Sequence, residues 1–439
     1  MVFFMKIGII GTGIAGLTAG FVLQQNDHDV TLFERPNAHC LDSGHVDSPF
    51  RAMNALLWPN TLLLAKLLDI ATYEVHSHMS CSWLNQNDGH AGNLFDTWLK
   101  TGHLGGLKIP IAMASENGKH LPTLAWGLYR FKLALQQLPQ LSNDVSVQTW
   151  LNQQTLPKLF WQGCLLPVWL TLCRCDVDTL MQWPVKPLLC FCATMLQEQR
   201  LYQLEGGIDH LVETLKQSAH IIPESMAAVW QNDEHVFVKT DADSLYHFDH
   251  VIVATAHSKI DFLDAQQFSQ ELSWLQALPH TEGMLLQHTD TQLMPSERSH
   301  WASVNHVMSE DGLQHQFNVW LNPHQAQPVF QVWQPLLKIA PEHILQQTHL
   351  QQPVCSTESL QYVAALKHSQ RHNASSKRVW FCGAWMSEGL PILETTIASA
   401  LDVCENLHAL WPRLPDYSQW QDEVNLTVAD AVGFVSAMR

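Results

Sequence analysis

The chain has 439 residues, too many for one simple core, so two intertwined or consecutive domains are the default expectation. Hydrophobic residues make up 46% and charged residues 15%, which excludes a disordered chain. Asp and Glu outnumber Lys and Arg by 41 to 24, a formal net charge of -17 with no basic cluster; such a surface repels phosphate backbones and argues against a nucleic-acid partner.

The opening stretch, MVFFMKIGIIGTGIAGLTAGF, lacks the basic n-region of a signal peptide and reads instead as an apolar strand at residues 6 to 10 followed by a glycine turn. The pattern Gly11-x-Gly13-x-x-Gly16 then opens an alanine- and leucine-rich helix, and a second strand ends at Glu34. Gly11 permits the tight turn, Gly13 lets the backbone approach a pyrophosphate, and Gly16 lets the helix pack close to the strands. The helix N-terminus, at Ile14 and Ala15, presents free N–H groups and a partial positive charge to that diphosphate, while Glu34 is placed to accept ribose hydroxyls. Strand, turn, helix, strand and acid in register predict dinucleotide binding.

Further on, YEVHSHMSCSWL (73 to 84) alternates like a strand within an otherwise helical stretch. LPKLFWQGCLLPVWLTLC (156 to 173) is the nearest approach to a membrane span, but Lys158, Gln162 and two prolines interrupt it. It reads as a buried helix pair, with a hydrophobic tunnel or a patch touching a membrane surface as the alternative. No stretch reaches the length of a transmembrane helix, and the ten cysteines, with no Cys-x-x-Cys, read as reduced thiols of a cytoplasmic protein with no metal site. LYQLEGGIDHLVETL (201 to 215) gives a Gly206-Gly207 turn and an amphipathic helix with Ile208, Leu211, Val212 and Leu215 on one face. SMAAVWQNDEHVFVKT reads as a β-hairpin and DHVIVAT as a buried strand. Near the end, RVWFCGAWMSEGLPILETTIASAL repeats the order strand, turn, small-residue helix.

The order GTGIAG, EGGIDHLVETL, DHVIVAT and RVWFCGAW…LETTIASAL resembles the FAD-dependent amine oxidase, phytoene desaturase and protoporphyrinogen oxidase superfamily. HTDTQLMPSERSHWASVNH (288 to 306) and neighbouring segments look like a branch of bacterial NAD/FAD-binding flavoproteins annotated beside cyclopropane-fatty-acyl synthases. The resemblance implies an α/β chain with a discontinuous Rossmann-like FAD-binding domain (1 to 60, 200 to 280, 366 to 412) and an interleaved substrate domain of helices and a mixed sheet (61 to 199, 281 to 365). The tail, 413 to 439, reads as a docking helix or an oligomer contact. It also implies a non-covalent FAD whose second end lies at the second turn. Gly383 would approach the flavin phosphates, Glu394 and Thr395 would contact the cofactor from the start of the closing helix, Ala254, at the end of DHVIVAT, would be a further cofactor contact, and Met226 would make a backbone contact to adenine. Where the superfamily has a Gly-Gly-Arg turn after the acid, this chain has ERPNAHCLDSGHVDSPFR, leaving Arg35, Gly44 and Arg51 as the candidates there.

By the same resemblance the reaction is hydride transfer from a C–H bond to the flavin. Trp161, Trp169, Trp183, Trp301 and Trp385 fall in segments expected to wall the substrate cavity, with Asn305 and Ile392 beside them. Amine oxidases place an aromatic residue at the position of Ile392, so its replacement favours dehydrogenation of a small hydrophobic substrate, a modified acyl chain being one candidate. An amine or imine oxidase is the second reading. An FAD-binding protein without turnover is the third, motivated by the altered turns at 35 to 51 and 386 to 396. His288, His300 and His306 lie on an expected sheet and read as packed or surface residues rather than bases.

Overall fold

The computed structural model describes residues 4–36, 52–84, 95–104, 107–112, 120–197, 200–323, 325–372 and 377–411. Five short strands, β1 (Lys6–Ile10), β2 (Asp29–Phe33), β3 (Ile221–Ile222), β4 (His250–Val253) and β5 (Val379–Phe381), form one parallel sheet in the order β5-β4-β1-β2-β3. The register sets Ile9 beside Ile252 and Leu32, and Ile252 beside Trp380. These strands are almost continuously buried, as a sheet covered on both faces requires.

Side-chain alternation shows what covers each face. Ile7, Ile9, Ile252 and Trp380 point into a core shared with helix α1 (Ile14–Gln25) and the closing helix. Ile10, Val251, Val253 and Phe381 point the other way, onto the three-stranded antiparallel sheet Met226–Gln231, Val236–Thr240, Leu245–Phe248 and the helices Ser269–Ala277 and Thr357–His372. The two further helices that matter on the first face are α2 (Pro59–Leu67) and α3 (Gly207–Gln217), followed in chain order by the closing helix α4 (Leu393–Asn406). α1 packs against both α3 and α4.

A second, eight-stranded sheet runs in the order 344–353, 280–288, 330–333, 315–320, 304–309, 79–84, 95–104, 107–112. All its neighbours are antiparallel except 304–309 and 79–84, which pair in parallel with His306 beside Cys81. The strand expected over 73 to 84 is two strands: Met79–Leu84 joins this sheet, while Thr72–Val75 pairs with Leu201–Leu204. The antiparallel strands Phe95–Leu104 and Leu107–Ala112, in a segment expected to be mainly helical, add two more.

Within the 156–173 stretch, Lys158–Cys173 is one helical run with a π-turn at Trp161–Leu165, capped by the left-handed Arg174. Gly163 lets the Trp98 ring lie against it; a Cβ there would stand 2.5 Å from that ring. Its side chains are part of the main core, and Trp169 and Trp183 are fully buried there with Trp150, as packing residues rather than cavity walls. Among the described residues no helix is long and apolar enough to cross a membrane.

Candidate functional site

In a doubly wound sheet the ligand crevice lies outside the carboxyl ends of the strands, where neighbouring strands are wound in opposite directions. Here that point is the end of β1 and β4. Gly11 follows β1 with φ +115, and its N–H donates to the Phe33 carbonyl at 3.0 Å. A Cβ on Gly11 would lie 2.8 Å from the Ala254 carbonyl oxygen, and one on Gly16 would lie 2.0 Å from the Gly11 carbonyl oxygen. Both glycines are thus sterically required, because the first turn of α1 is pressed onto the strand ends. Gly13 is the N-cap in ordinary extended geometry and offers no side-chain cap. The first-turn N–H groups of Ile14, Ala15 and Gly16 therefore have no intrahelical acceptor, the arrangement that suits a pyrophosphate.

Glu34 leaves the end of β2, its N–H bonded to the Ile222 carbonyl at 3.0 Å. Its Oε1 accepts from the Thr12 hydroxyl at 2.6 Å and from Lys216 Nζ at 2.7 Å. Lys216 was not foreseen: a lysine in the last turn of a helix reads as a partner of the helix dipole, and nothing in its spacing points to Glu34. Arg35, next along, is exposed. Met226 opens the antiparallel hairpin, half-buried and paired with Thr240. Gly44 and Arg51 lie outside the described residues, as does the tail 413–439.

The second turn meets the first at Ala254–Thr255. Cys382 N–H bonds to the Val253 carbonyl, and Gly383 follows with φ +143, where a Cβ would stand 2.9 Å from Trp385 Nε1. That indole nitrogen donates to the Thr255 carbonyl at 2.9 Å, while the Gly11 side of the crevice touches the same dipeptide through Ala254. Burial pushes the Cys382 thiol up to about 12, so it is no nucleophile at neutral pH. His257, just beyond β4, is pushed down to about 4 by burial and by neighbouring His280, and is a neutral imidazole whose Nδ1 faces the Leu275 carbonyl.

Several second-turn candidates are committed elsewhere. The Gly383 N–H is taken by Ser399 Oγ at 2.9 Å, so it is not a donor to phosphate. The Thr395 hydroxyl accepts from Ile392 N–H at 3.1 Å and lies 2.7 Å from the Leu390 carbonyl, closing the first turn of α4. The Glu394 carboxylate is spent on α2. Trp58 cannot cap that helix with its side chain and Pro59 brings no N–H. Glu394 supplies the cap from a distance: Oε1 accepts from Asn60 N and Nδ2, and Oε2 from Thr61 N and Oγ1, at 2.6–3.1 Å. Burial raises its pKa, and those four hydrogen bonds oppose the shift. What Glu394 and Thr395 keep for a ligand is the backbone N–H at the start of α4.

The cavity candidates separate. Trp385 and Ile392 flank the second turn, both buried. Trp301 instead donates its indole N–H to the Pro295 carbonyl at 2.7 Å and packs on Phe330 and Trp320. Asn305 is consumed by Ala302, Ser80 and the Asn318 carbonyl. The polar side-chain atoms of both are thus bonded within the large sheet and the loop leading into it. His288 and His306 lie on strands of that sheet, and burial pushes His306 down to about 3. His300 does not: it ends a 3-10 turn, with Glu297 3.3 Å from its Nε2.

Residues 9–48 match the NAD(P)-binding Rossmann-like domain family. No curated protein matches the sequence. Among solved structures the chain is similar to an oxidoreductase from Methanosarcina mazei, at 12% identity, TM-score 0.61, over 91% of this chain and 100% of that one. It is similar to a putrescine oxidase bound to putrescine, at 10% identity, TM-score 0.58, over 93% of this chain and 100% of that one. It is also similar to a CLA-producing fatty acid isomerase from P. acnes, at 12% identity, TM-score 0.60, over 91% of this chain and 98% of that one. The chain therefore has the fold shared by these proteins, over nearly their whole length, with a Rossmann-like nucleotide unit inside it.

Proposed function

We propose that the chain binds one FAD non-covalently across the carboxyl end of the parallel sheet and is an oxidoreductase that removes hydride from a C–H bond of an apolar substrate. The observation that carries this is the meeting of the two glycine turns at Ala254–Thr255. Two helix N-termini, those of α1 and α4, then face a ligand long enough to need both. The residues fit the adenosine end: a cradle closed to any side chain at Gly11 and Gly16, bare N–H groups at Ile14 and Ala15, and a carboxylate at Glu34. FAD supplies the hydride acceptor when bound. The protein's part is to hold both ends and to keep an apolar wall at the buried Ile392 and Trp385.

An apolar substrate, with a modified acyl chain as one candidate, suits the aliphatic Ile392 at the mouth of α4. An amine substrate is the second reading, favoured by the similarity to a putrescine oxidase. The two are separated by mixing the flavin-loaded protein anaerobically with unsaturated or cyclopropane acyl lipids and, separately, with mono- and diamines. Bleaching of the visible band by the acyl compounds alone supports the first reading; bleaching by amines alone replaces it with the second. Bleaching by dithionite and by neither substrate class would leave a flavin protein without turnover on these compounds.

A further inference from the structure

Glu34 does not stand alone at the strand end. Lys216 Nζ and the Thr12 hydroxyl both donate to its Oε1, at 2.7 and 2.6 Å. The Lys216 and Glu34 side chains are 18% and 25% exposed, so the pair is partly withdrawn from solvent and its geometry is less screened than that of a surface pair. The backbone fixes both partners. α3 is laid against the core by Ile208, Leu211, Val212 and Leu215, and the chain runs from α3 into β3, whose Ile222 carbonyl holds the Glu34 N–H. One unit, α3 with β3, therefore positions the ammonium and the carboxylate together.

A carboxylate that reads a ribose must present its acceptors in fixed directions, because two adjacent hydroxyls are recognised at once. A glutamate side chain has rotamer freedom to lose before it can do this. Two donors on a single oxygen remove that freedom, one from the phosphate-binding turn and one from α3. We infer that Lys216 is a positioning residue for the adenosine ribose: with Thr12 it holds Glu34 in the pose that accepts the hydroxyls. The ligand class is an adenosine diphosphate whose ribose hydroxyls are both free. The inference rests on the reading of the first turn as the adenosine half of an FAD site.

The test is a displacement titration on the full-length flavin-loaded protein, read by the fluorescence of released flavin, with ADP, 2′-deoxy-ADP and adenosine 2′,5′-bisphosphate as competitors. Wild type is expected to prefer ADP to 2′-deoxy-ADP by about tenfold, the scale of one charge-assisted hydrogen bond. Lys216→Met and Glu34→Gln should each weaken FAD binding by about tenfold and shrink that preference to within about twofold, and the double variant should be no more than about threefold worse than either. A Lys216→Met protein that melts earlier yet keeps wild-type FAD affinity and the ADP preference overturns the inference, since its role is then structural. Tighter binding of adenosine 2′,5′-bisphosphate than of ADP to wild type also overturns it, in favour of direct phosphate capture by Lys216. Should Lys216→Met not fold, Lys216→Arg carries the test: it keeps a cationic donor and should hold the preference within about threefold, and its loss in a folded variant overturns the inference. A wild type that takes up no flavin at all is a different failure, that of the FAD reading itself.

Discussion

Replacing Glu394 separates its role as a helix cap from a role as a cofactor ligand. Its carboxylate takes four hydrogen bonds, two on each oxygen, from Asn60 and Thr61 at the start of α2. In Glu394→Ala the Asn60 and Thr61 side chains can turn elsewhere, but two backbone N–H groups lose a buried acceptor at about 1–3 kcal/mol each. Relief from burying a carboxylate, the same burial that raises its pKa, offsets part of this. The expected net loss is about 2–4 kcal/mol. Glu394→Gln keeps one acceptor oxygen and leaves one backbone N–H facing an NH2 group, so about half that loss is expected. Urea unfolding followed by circular dichroism and by tryptophan fluorescence reads the order wild type, Gln, Ala. A Glu394→Ala protein within about 0.5 kcal/mol of wild type would refute the cap. A Glu394→Gln protein of wild-type stability that has lost its flavin would restore the carboxylate as a direct ligand.

Gly16→Ala places a Cβ 2.0 Å from the Gly11 carbonyl oxygen, a contact only a shift of α1 can relieve. It should cost about 1–3 kcal/mol and lower flavin occupancy in the purified protein, both measurable on one preparation. Trp385→Phe leaves the Thr255 carbonyl without its indole donor and should cost about 1 kcal/mol in thermal or urea unfolding, while no loss would mean the bond does not tie the two turns together. His257 and His306 are buried neutral imidazoles, pushed down to about 4 and about 3. Below the ordinary value near 6.5 the unfolded chain gains protons that the folded one refuses, so stability is full above that pH and falls on acidification toward 4. Each contributes up to about 1.4 kcal/mol per pH unit; a flat profile between pH 7 and 5 would contradict their burial.

The parts of the fold set by local rules were readable from the chain. Gly11 and Gly16 are glycines because a carbonyl oxygen occupies the place of a Cβ, and that demand is written in the motif itself. The buried face of α3 matches Ile208, Leu211, Val212 and Leu215, because amphipathic spacing is local. What stayed hidden depends on partners far along the chain. Glu394 reads as a first-turn acid favouring its own helix dipole, yet it serves Asn60 and Thr61, more than three hundred positions earlier. Lys216 reads as a helix-end cation, yet it holds Glu34. Trp301 and Asn305 sit in a segment with a family-like pattern, and the partners of their polar atoms, Pro295 and Ala302, are set by the fold of that segment and not by the spacing. The strands 95–104 and 107–112 lie in a stretch read as mainly helical, and their place is set by pairing with Met79–Leu84 and with each other, which the local pattern does not carry.

The visible spectrum of the purified protein, followed by heat release and identification of the cofactor, tests the central claim most directly. A flavin spectrum with free FAD in the supernatant is the expected result, and it would show one non-covalent dinucleotide held between the two turns. A colourless protein that takes up no added FAD would contradict the account and leave the Gly11–Gly16 turn to a nicotinamide dinucleotide or to no nucleotide.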